Sequence, residues 1–570
     1  MSAAARLAGD ELSAQLSSLV LPNEDQQAEL TWLEDSYADG PACATLWANL
    51  WRVAGSEDGR LRSRPGVSIE LYVDAIARHA VSGGIAFTTL AASGELQHLS
   101  YAQLDAAATA CAGTWSLAGV CAGQVVALAL PMGLPWLIGF AAALRLGLTI
   151  SCLSSFAETA LACRLRALAP DRVVFDPTVD EPAEFAKLAL PIVSRGFDHA
   201  PPAHGYAPEQ PFGMLFSPLR SPLTKPTLLA AKVAFQWALR DAVFAYRLAP
   251  DSGLAMPGFP LEQYQPAVLL ATLLSGARFI DLPMPLLQRN PAALLQPFIT
   301  TLGVSCELRD LLREHPMAAK ASFRDWWKSV DEPLDWLAWQ DFTQKNGLRD
   351  LPVSNLLVDA ASGGALLVSA RRPGSIHALV LPSPGVPFVL SDVTSGAPAL
   401  AACGVFQVGA KPDPQSPGWF LLVRRGSEYL YGSTLSPRRA GRVFAEQEVI
   451  DCVAGLPGVD GACIVPVATG EPGAVWAFVL VVFAGDREEH EFESLRRDLE
   501  AALRTLLGAD FVPDHFHLAR SFARHVDGKL DLDWCCREYS SGLMTRKSGS
   551  AAFQKLTALR AYLKGDSIGG

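Results

Sequence analysis

Short apolar runs and helix-like segments alternate over residues 99–175, and this order restricts the folds that are open to the chain. Residues 99–120 carry apolar side chains at helical spacing and end near Gly119. The next segments read AGQVVALAL, PWLIGFAAALRLG and LTISCL, which are typical of a strand, a helix and a second strand. Strands that alternate with helices form a mostly parallel sheet covered on both faces. The sequence therefore predicts an α/β fold.

The apolar stretch over residues 125–153 is long enough to be compared with a membrane span. Pro131 and Pro135 interrupt it after six apolar residues, and Arg145 lies within the remainder. A buried strand, a helix that begins near Pro135 and a second buried strand explain the stretch better. The sequence predicts no membrane span.

The composition limits the partners of the chain. Half of its residues are hydrophobic and 18% are charged, which is a globular composition. Its formal net charge of −11 argues against nucleic acid, because that binding needs a basic surface. The 11 cysteines show no CxxC spacing, and no signal peptide is visible at the N-terminus. We expect an acidic cytoplasmic protein with free thiols and no metal site.

A chain of 570 residues is too long for one core, so two or more domains are expected. Residues 65–424 are predicted to form a large N-terminal α/β domain with mostly parallel sheets, after an N-terminal extension over residues 1–64. Residues 442–540 follow the order helix, strand, strand, helix, strand, which predicts a small α+β domain. The segment 425–441 is rich in Gly, Ser and Arg and is the predicted hinge. Residues 541–570 form a tail.

Several segments together resemble one enzyme superfamily. They read LSYAQLDAAATACAGTW, GQVVALALP, PWLIGFAAALRLG, VFAEQEVIDCVAGLPGVDGACIVPV and DGKLDLD. In order and spacing they are similar to the adenylate-forming (AMP-binding) superfamily, which includes acyl-CoA synthetases, adenylation domains of peptide synthetases and luciferases. The resemblance covers about residues 65–540. It implies a large N-terminal α/β domain and a small C-terminal α+β domain on a hinge.

The phosphate-binding loop departs from the pattern that the resemblance implies. Superfamily members carry a loop such as TSGSTGKPKG, whose backbone N–H groups bind the phosphates of ATP. Here residues 217–225 read SPLRSPLTK. Each proline lacks an N–H donor, and Leu219 and Leu223 carry side chains where close approach needs none. Losing two or three charge-assisted hydrogen bonds of roughly 1.5–3 kcal/mol each predicts weak or absent binding of magnesium-ATP.

Three residues of this loop could still contact an anion. They are Arg220, Ser221 and Lys225. We take them as the candidate phosphate-binding or cofactor-binding residues.

The predicted nucleotide pocket also departs from the superfamily pattern. In the superfamily motif N.YG.TE an aromatic ring stacks on adenine and the glutamate binds magnesium. Here NLLVDAASGG begins at Asn355, with Leu357 at the tyrosine position and Ala361 at the glutamate position. Asp359 lies two residues before Ala361, and Gln263 stands where many members have histidine. The resemblance thus implies a pocket at Gln263, Asn355, Leu357 and Asp359 without the usual nucleotide contacts.

Two residues of the C-terminal domain are candidate catalytic residues. Lys529 in DGKLD matches the lysine that superfamily members bring to the carboxylate and the α-phosphate. In the alternative interpretation the Asp-Gly pair before it makes a tight turn and Lys529 is solvated. His525 is a candidate base for a thiol, or else a solvated or capping residue. Cys535 and Cys536 lie near the same loop and could be acyl acceptors, but buried or idle thiols are the prediction.

Three functions are compatible with these motifs. The prediction is an acyltransferase that moves an acyl group between coenzyme A and the pantetheine thiol of an acyl carrier protein, which needs no ATP. Coenzyme A or a phosphopantetheine thioester is then the cofactor and the carrier protein is the candidate partner. One alternative is an ATP-dependent acyl-CoA or acyl-carrier-protein ligase with divergent motifs, in which Arg220 and Lys225 replace backbone contacts. The other is a non-catalytic relative that acts as partner or scaffold of a biosynthetic enzyme.

Overall fold

The structure is a computed structural model, and the chain in it divides into two compact units. Unit 1 comprises Met1–Ser155 and Leu165–Leu435, and unit 2 comprises Phe156–Arg164 and Ser436–Gly570. The residues that the structure describes are 41–55, 60–64, 66–153, 158–176, 185–189, 201–217, 219, 226–317, 322–330, 336–369, 372–374, 376, 379–391, 403–408, 420–425, 428–434, 438–439, 442–468, 476–484 and 489–519.

The helices are numbered along the described part of the chain. The α-helices are α1 (Pro41–Ala54), α2 (Leu71–Ala75), α3 (Tyr101–Leu117), α4 (Leu134–Leu146), α5 (Glu158–Leu168), α6 (Ala231–Phe244), α7 (Leu261–Tyr264), α8 (Ala267–Leu274), α9 (Met284–Leu287), α10 (Cys306–Glu314), α11 (Trp336–Lys345), α12 (Glu446–Ala454) and α13 (Glu489–Leu506). Short 3-10 helices span Ala77–Ser82, Pro291–Leu295, Ala360–Ser362 and Ala509–Phe511. No helix in these ranges combines the length and apolar character needed to cross a bilayer.

The strands are numbered in the same way. They are β1 (Ile85–Leu90), β2 (Leu96–Ser100), β3 (Val125–Ala129), β4 (Thr149–Leu153), β5 (Arg172–Phe175), β6 (Pro211–Leu215), β7 (Thr227–Ala230), β8 (Gly253–Ala255), β9 (Arg278–Asp281), β10 (Thr301–Gly303), β11 (Asp325–Ser329), β12 (Pro352–Asp359), β13 (Gly364–Val368), β14 (Arg372–Pro373), β15 (Leu379–Pro382), β16 (Phe388–Ser391), β17 (Cys403–Val408), β18 (Phe420–Arg425), β19 (Glu428–Thr434), β20 (Arg438–Arg439), β21 (Arg442–Val443), β22 (Gly461–Ala468), β23 (Trp476–Phe483) and β24 (His515–Ala519).

Local sequence signals explain where the first helices of unit 1 begin and end. Ser100 and Gln103 form a capping box at the start of α3, with the Ser100 hydroxyl accepting the N–H of Gln103 at 3.1 Å. Helix α4 begins after Gly133 and carries Pro135 in its first turn. It ends at Gly147, whose φ of +74° closes the helix in the left-handed region. The predicted order of strand, helix and strand over residues 125–153 is confirmed as β3, α4 and β4.

Unit 1 contains two sheets. The smaller has the order β5-β3-β4-β6-β7, with β5, β3, β4 and β6 parallel and β7 antiparallel to β6. The larger runs from β16 at one edge to β2 at the other and is parallel from β12 through β11, β10, β8 and β9 to β1. From β13 onward its strands pair antiparallel, since no α-helix lies in the described residues between β12 and β19 to return the chain in parallel. The α/β fold class is confirmed, with a mixed large sheet.

The described part of unit 2 is a small α+β structure. Strands β22 and β23 pair antiparallel, and β24 adds to β23 in parallel. Helices α12 and α13 contribute Val449, Leu495 and Leu499 to one core with Phe478 and Leu480 of β23. The domain boundaries stay predictions. Strand β19 lies within the predicted hinge over residues 425–441, and the two units divide after Leu435.

Candidate functional site

Three predicted pocket residues lie on one face of β12. Asn355, Leu357 and Asp359 alternate with Leu356 and Val358, so the two sets point to opposite faces of the sheet. All three side chains are buried. The strand therefore brings these predicted residues onto one face, inside unit 1.

Asn355 lies in the interior of the large sheet. It pairs with Lys328 of β11, and its backbone N–H donates to the Ser369 hydroxyl at 2.7 Å. The Nζ of Lys328 lies 5.3 Å from the ring centre of Trp339, and the Lys328 side chain is buried. Asn355 and Lys328 are therefore polar side chains in the buried interior of unit 1.

Leu357 belongs to a hydrophobic cluster that also includes a residue of the loop after β6. The cluster contains Leu357, Leu219, Trp237, Val330 and Leu366. Leu219 is only 1% exposed. The side chain at the tyrosine position of the motif therefore packs in the same core as a leucine of the predicted phosphate-binding loop.

The loop after β6 uses one of its own N–H groups internally. The backbone N–H of Leu219 donates to the Ser217 hydroxyl at 3.2 Å, and Ser217 is buried. Short hydroxyl-to-backbone bonds of this kind shape a turn without a ligand. The N–H of Leu219 is thus engaged within the protein.

Asp359 begins the tight connection between β12 and β13. Its Oδ2 accepts a hydrogen bond from the Ser362 hydroxyl at 2.5 Å across the 3-10 turn Ala360–Ser362. Ala361 at the glutamate position is buried in the main core of unit 1. The turn ends at Gly363, whose φ of +114° suits glycine. The Asp359 carboxylate is therefore bonded inside its own turn.

A buried ion pair on α6 holds the strand that follows this turn. Arg240 Nε donates to Asp241 Oδ1 at 2.8 Å, and Arg240 Nη2 donates to the Ala365 carbonyl at 2.7 Å. Asp241 Oδ2 accepts the Ala365 N–H at 2.7 Å. A Cβ at Gly364 would lie 2.1 Å from Asp241 Oδ2, so this approach requires glycine.

Opposing influences act on the pKa of Asp241. Burial raises the pKa of Asp241, while the Arg240 guanidinium and the Ala365 N–H oppose that shift. Sequence reasoning did not identify the pair. The available signal is the Arg-Asp step inside the apolar helix sequence AKVAFQWALRDAVF, where two adjacent charges must be paired if they are buried.

Four aromatic side chains form a second group, and one of them, Tyr264, follows Gln263 directly in the sequence. The ring centre of Phe259 lies 4.6 Å from that of Trp327 and 4.8 Å from that of Tyr264, and Tyr246 lies 5.7 Å from Trp327. We call Tyr246, Phe259, Tyr264 and Trp327 the aromatic group. Gln263 is itself buried in α7. The group belongs to the main hydrophobic core of unit 1, with Phe259 as its one partly exposed member, and it lies beside one predicted pocket residue.

The aromatic group contains two polar hydrogens that the described residues do not bind. They belong to the Tyr246 hydroxyl and the Trp327 Nε1, and both atoms are buried. Buried donors normally have a partner. Both donors are enclosed in the core of unit 1 and have no partner among the described residues.

Cys152 at the carboxyl end of β4 is not an activated thiol. Burial raises its pKa, and the negative charge of Glu262 raises it further. Nucleophilic cysteines need the opposite shift, toward the thiolate. Cys152 is thus a buried structural thiol.

Five of the predicted site residues lie outside the described residues. They are Arg220, Ser221, Lys225, His525 and Lys529. Their roles stay predictions, and so does the idle state of Cys535 and Cys536.

Comparison with known proteins identifies the fold. Residues 77–205 match the family model for AMP-binding enzymes. No curated protein sequence matches the chain. Among solved structures, o-succinylbenzoate CoA synthetase (MenE) from Bacillus subtilis superposes with a TM-score of 0.62 at 14% identity, over 81% of this chain and 97% of that one. Amide bond synthetase McbA from Marinactinospora thermotolerans gives a TM-score of 0.60 at 16% identity, over 81% and 99%.

The resemblance to the AMP-binding superfamily is confirmed. At these identities the solved structures show the shared fold. The family match spans α3, β3, α4, β4 and β5 and ends before the loop that follows β6. In its architecture the chain is similar to o-succinylbenzoate CoA synthetase and to amide bond synthetase McbA.

The described residues fit a magnesium-bound nucleotide poorly at the superfamily's own positions. Leu357 gives no aromatic ring for adenine, Ala361 gives no carboxylate for magnesium, and both are buried in hydrophobic clusters. Leu219 places a buried aliphatic side chain in the loop, and its N–H is already bonded to Ser217. The loss of an ATP-dependent first step stays a prediction, based on the positions that the resemblance assigns to the nucleotide.

Proposed function

We propose that this protein transfers acyl groups between thioesters and does not activate a carboxylate with ATP. The acyl group would pass between coenzyme A and the pantetheine thiol of an acyl carrier protein, in the cytoplasm. The observation that carries the proposal is the burial of Leu219, which lies in the predicted phosphate loop with its N–H bonded to Ser217. Leu219 fills the core with its side chain and uses its N–H internally, so this position of the loop has no free backbone donor for a phosphate.

The loss of hydrogen bonds to the phosphates of a nucleotide has an energetic cost. A charge-assisted hydrogen bond contributes roughly 1.5–3 kcal/mol, and a factor of ten in affinity corresponds to about 1.4 kcal/mol. Loss of two such bonds thus weakens nucleotide binding by roughly two to four orders of magnitude. Transfer between two thioesters avoids this loss, because one C–S bond is broken as another of the same kind is formed.

The reaction needs a base and an oxyanion stabiliser. In the proposed step His525 accepts the proton of the acceptor thiol, and the thiolate sulfur attacks the thioester carbonyl carbon. The C–S bond to the donor then breaks, and the departing thiolate takes the proton back from His525. Lys529 would stabilise the negative oxygen of the tetrahedral intermediate. No nucleotide, metal or oxidant enters this balance.

The aromatic group supports an apolar acyl substrate. Tyr246, Tyr264 and Trp327 are buried, while Phe259 is partly exposed. Aromatic surfaces of this kind bind apolar chains and rings, and a few polar groups then set the orientation.

The proposal is tested by mixing the purified protein with acyl-CoA thioesters and a pantetheinylated carrier protein in the absence of nucleotide. Mass spectrometry of the carrier should show the added acyl group. Replacing His525 or Lys529 by alanine should slow the transfer at least tenfold, about 1.4 kcal/mol of barrier. The matched control is Cys535→Ser, which should leave the rate unchanged because the step uses no enzyme thioester.

A second measurement separates transfer from ligation. Calorimetry with millimolar magnesium-ATP should show weak binding or none, and pyrophosphate exchange with a panel of carboxylic acids should be absent. Robust exchange with any acid would reject the proposal in favour of the ligase. A protein that is inert with every thioester, yet binds the carrier protein stably, would be a scaffold.

A further inference from the structure

A cleft of about 340 Å³ opens on unit 1 and shares no residue with the candidate functional site. Helices α1, α6 and α8 and the 3-10 helix Ala77–Ser82 contribute its walls. Most of the lining is aliphatic and includes Leu50, Leu239, Val243 and Leu274, and two guanidinium groups, from Arg60 and Arg78, complete it. We call it the arginine cleft.

Arg78 is the largely buried cation of the arginine cleft. Its Nε donates to His79 Nε2 at 3.1 Å, and its Nη2 donates to the Leu274 carbonyl. Burial lowers the pKa of Arg78, Asp74 and Tyr101 oppose this shift, and the Arg60 charge adds to it. Among the residues that the structure describes, none accepts a hydrogen bond from Nη1 of Arg78. One charged donor is therefore available in the cleft.

Asp74 is the carboxylate that acts on Arg78, but its oxygens are bonded elsewhere. Burial lowers the pKa of His79 to about 3, so its ring is neutral at pH 7 and accepts the Arg78 bond at Nε2. The carboxylate of Asp74 is buried and already accepts the N–H groups of Arg62 and Ser63 at 2.7 and 2.9 Å. Arg60 adds a second positive charge to the lining. The arginine cleft thus combines two guanidinium groups, His79 and Ser275 with a lining that is otherwise aliphatic.

We propose that the arginine cleft binds a small amphipathic anion, namely a monocarboxylate with an aliphatic chain of medium length. The carboxylate would accept a hydrogen bond from Nη1 of Arg78, and the chain would pack on Leu239, Val243 and Leu274. The cleft volume of about 340 Å³ lies at the lower end of the range for small-molecule sites, roughly 300–1,000 Å³. A buried cation with an open donor is unfavourable by itself, and an anion compensates it.

Calorimetry with sodium octanoate and with 1-octanol tests this proposal on the full chain. Octanoate should bind, and octanol should bind at least tenfold more weakly, because only the carboxylate engages Arg78. Arg78→Met should weaken octanoate binding at least tenfold and leave octanol binding unchanged. The matched control is Arg289→Met, since Arg289 is exposed and donates Nε to the Pro285 carbonyl at 3.1 Å outside the cleft.

A second variant tests the location of the site. Val243→Trp fills the aliphatic part of the cleft and should remove the binding of both octanoate and octanol. Circular dichroism checks the folding of each variant. If Arg78→Met fails to fold, three measurements still show whether the cleft binds the carboxylate: the Arg78→Lys variant, the Val243→Trp variant, and the comparison of octanoate with octanol. Absence of octanoate binding at millimolar concentration, equal affinity for octanol, or unchanged binding by Val243→Trp would overturn the proposal.

Discussion

Replacing Leu219 by alanine tests the observation on which the proposed function depends. A loop that holds phosphates must present its backbone to solvent and ligand, and a leucine there would contribute little to stability. In this structure Leu219 is 1% exposed and shares a cluster with Trp237, Val330, Leu357 and Leu366. We therefore expect Leu219→Ala to behave as a core substitution.

The size of the effect follows from the burial. Fully burying a leucine side chain contributes about 1.5–3 kcal/mol, and the cavity left by truncation adds to the loss. Leu219→Ala should thus lower the free energy of unfolding by about 2–5 kcal/mol. The matched control is Leu228→Ala on the neighbouring strand β7, because Leu228 is 62% exposed. That change should cost less than about 0.5 kcal/mol.

The assay is urea unfolding followed by tryptophan fluorescence, with Trp237 in the affected cluster. The midpoints of the two variants are compared with that of the original chain at unchanged slope. Magnesium-ATP is then added to the original chain at millimolar concentration. A nucleotide present at 100 times its Kd would stabilise the fold by about 2.7 kcal/mol, whereas we expect no shift.

Two results would refute this reasoning. If Leu219→Ala costs no more than Leu228→Ala, Leu219 is not part of the core, and the loop is free to meet a ligand. If magnesium-ATP raises the unfolding midpoint by an amount that corresponds to several kcal/mol, the loop binds nucleotide despite its leucine. The ATP-dependent ligase is then the better interpretation of the function.

Three further predictions concern charges and domain organisation. Asp241→Asn should lower the free energy of unfolding by about 3–5 kcal/mol, because it leaves the buried Arg240 unpaired, whereas Asp310→Asn, at a half-exposed ion pair, should cost less than about 1 kcal/mol by the same urea assay. Burial raises the pKa of Asp281 from 3.8 to about 6, so the folded state binds the proton more tightly than the unfolded state, and the free energy of unfolding should fall as pH rises through this range. Asp281→Asn keeps an acceptor for the Thr89 hydroxyl and should remove this fall, as measured by thermal unfolding at a series of pH values. Trypsin under native conditions should cut near Arg438 and Arg442, beside the division between the two units, and gel electrophoresis should show a stable C-terminal fragment; cleavage within β12 or β13 instead would argue against this division.

Local signals in the sequence were sufficient for the α/β class and for several element boundaries. The capping box at Ser100, Gly133 before α4, Pro135 in its first turn and Gly147 after it act within a few residues of the chain, so they can be identified without a structure. The order of helices and strands in unit 2 follows from hydrophobic periodicity in the same way. The missing glycines of the loop over residues 217–225 are likewise visible in the sequence, and they led to the predicted loss of phosphate binding.

The tertiary structure decided which residues meet. Leu219 and Leu357 are far apart in the chain, and only the packing of the loop against β12 places them in one cluster. Arg240 and Asp241 appear in the sequence as two charges on an apolar helix, but their partner is the backbone of Ala365. The arginine cleft brings together Arg78, Leu239 and Leu274 in the same way. Such contacts depend on the summed packing and hydrogen bonding of many distant residues, and a pattern within a short window carries no information about them.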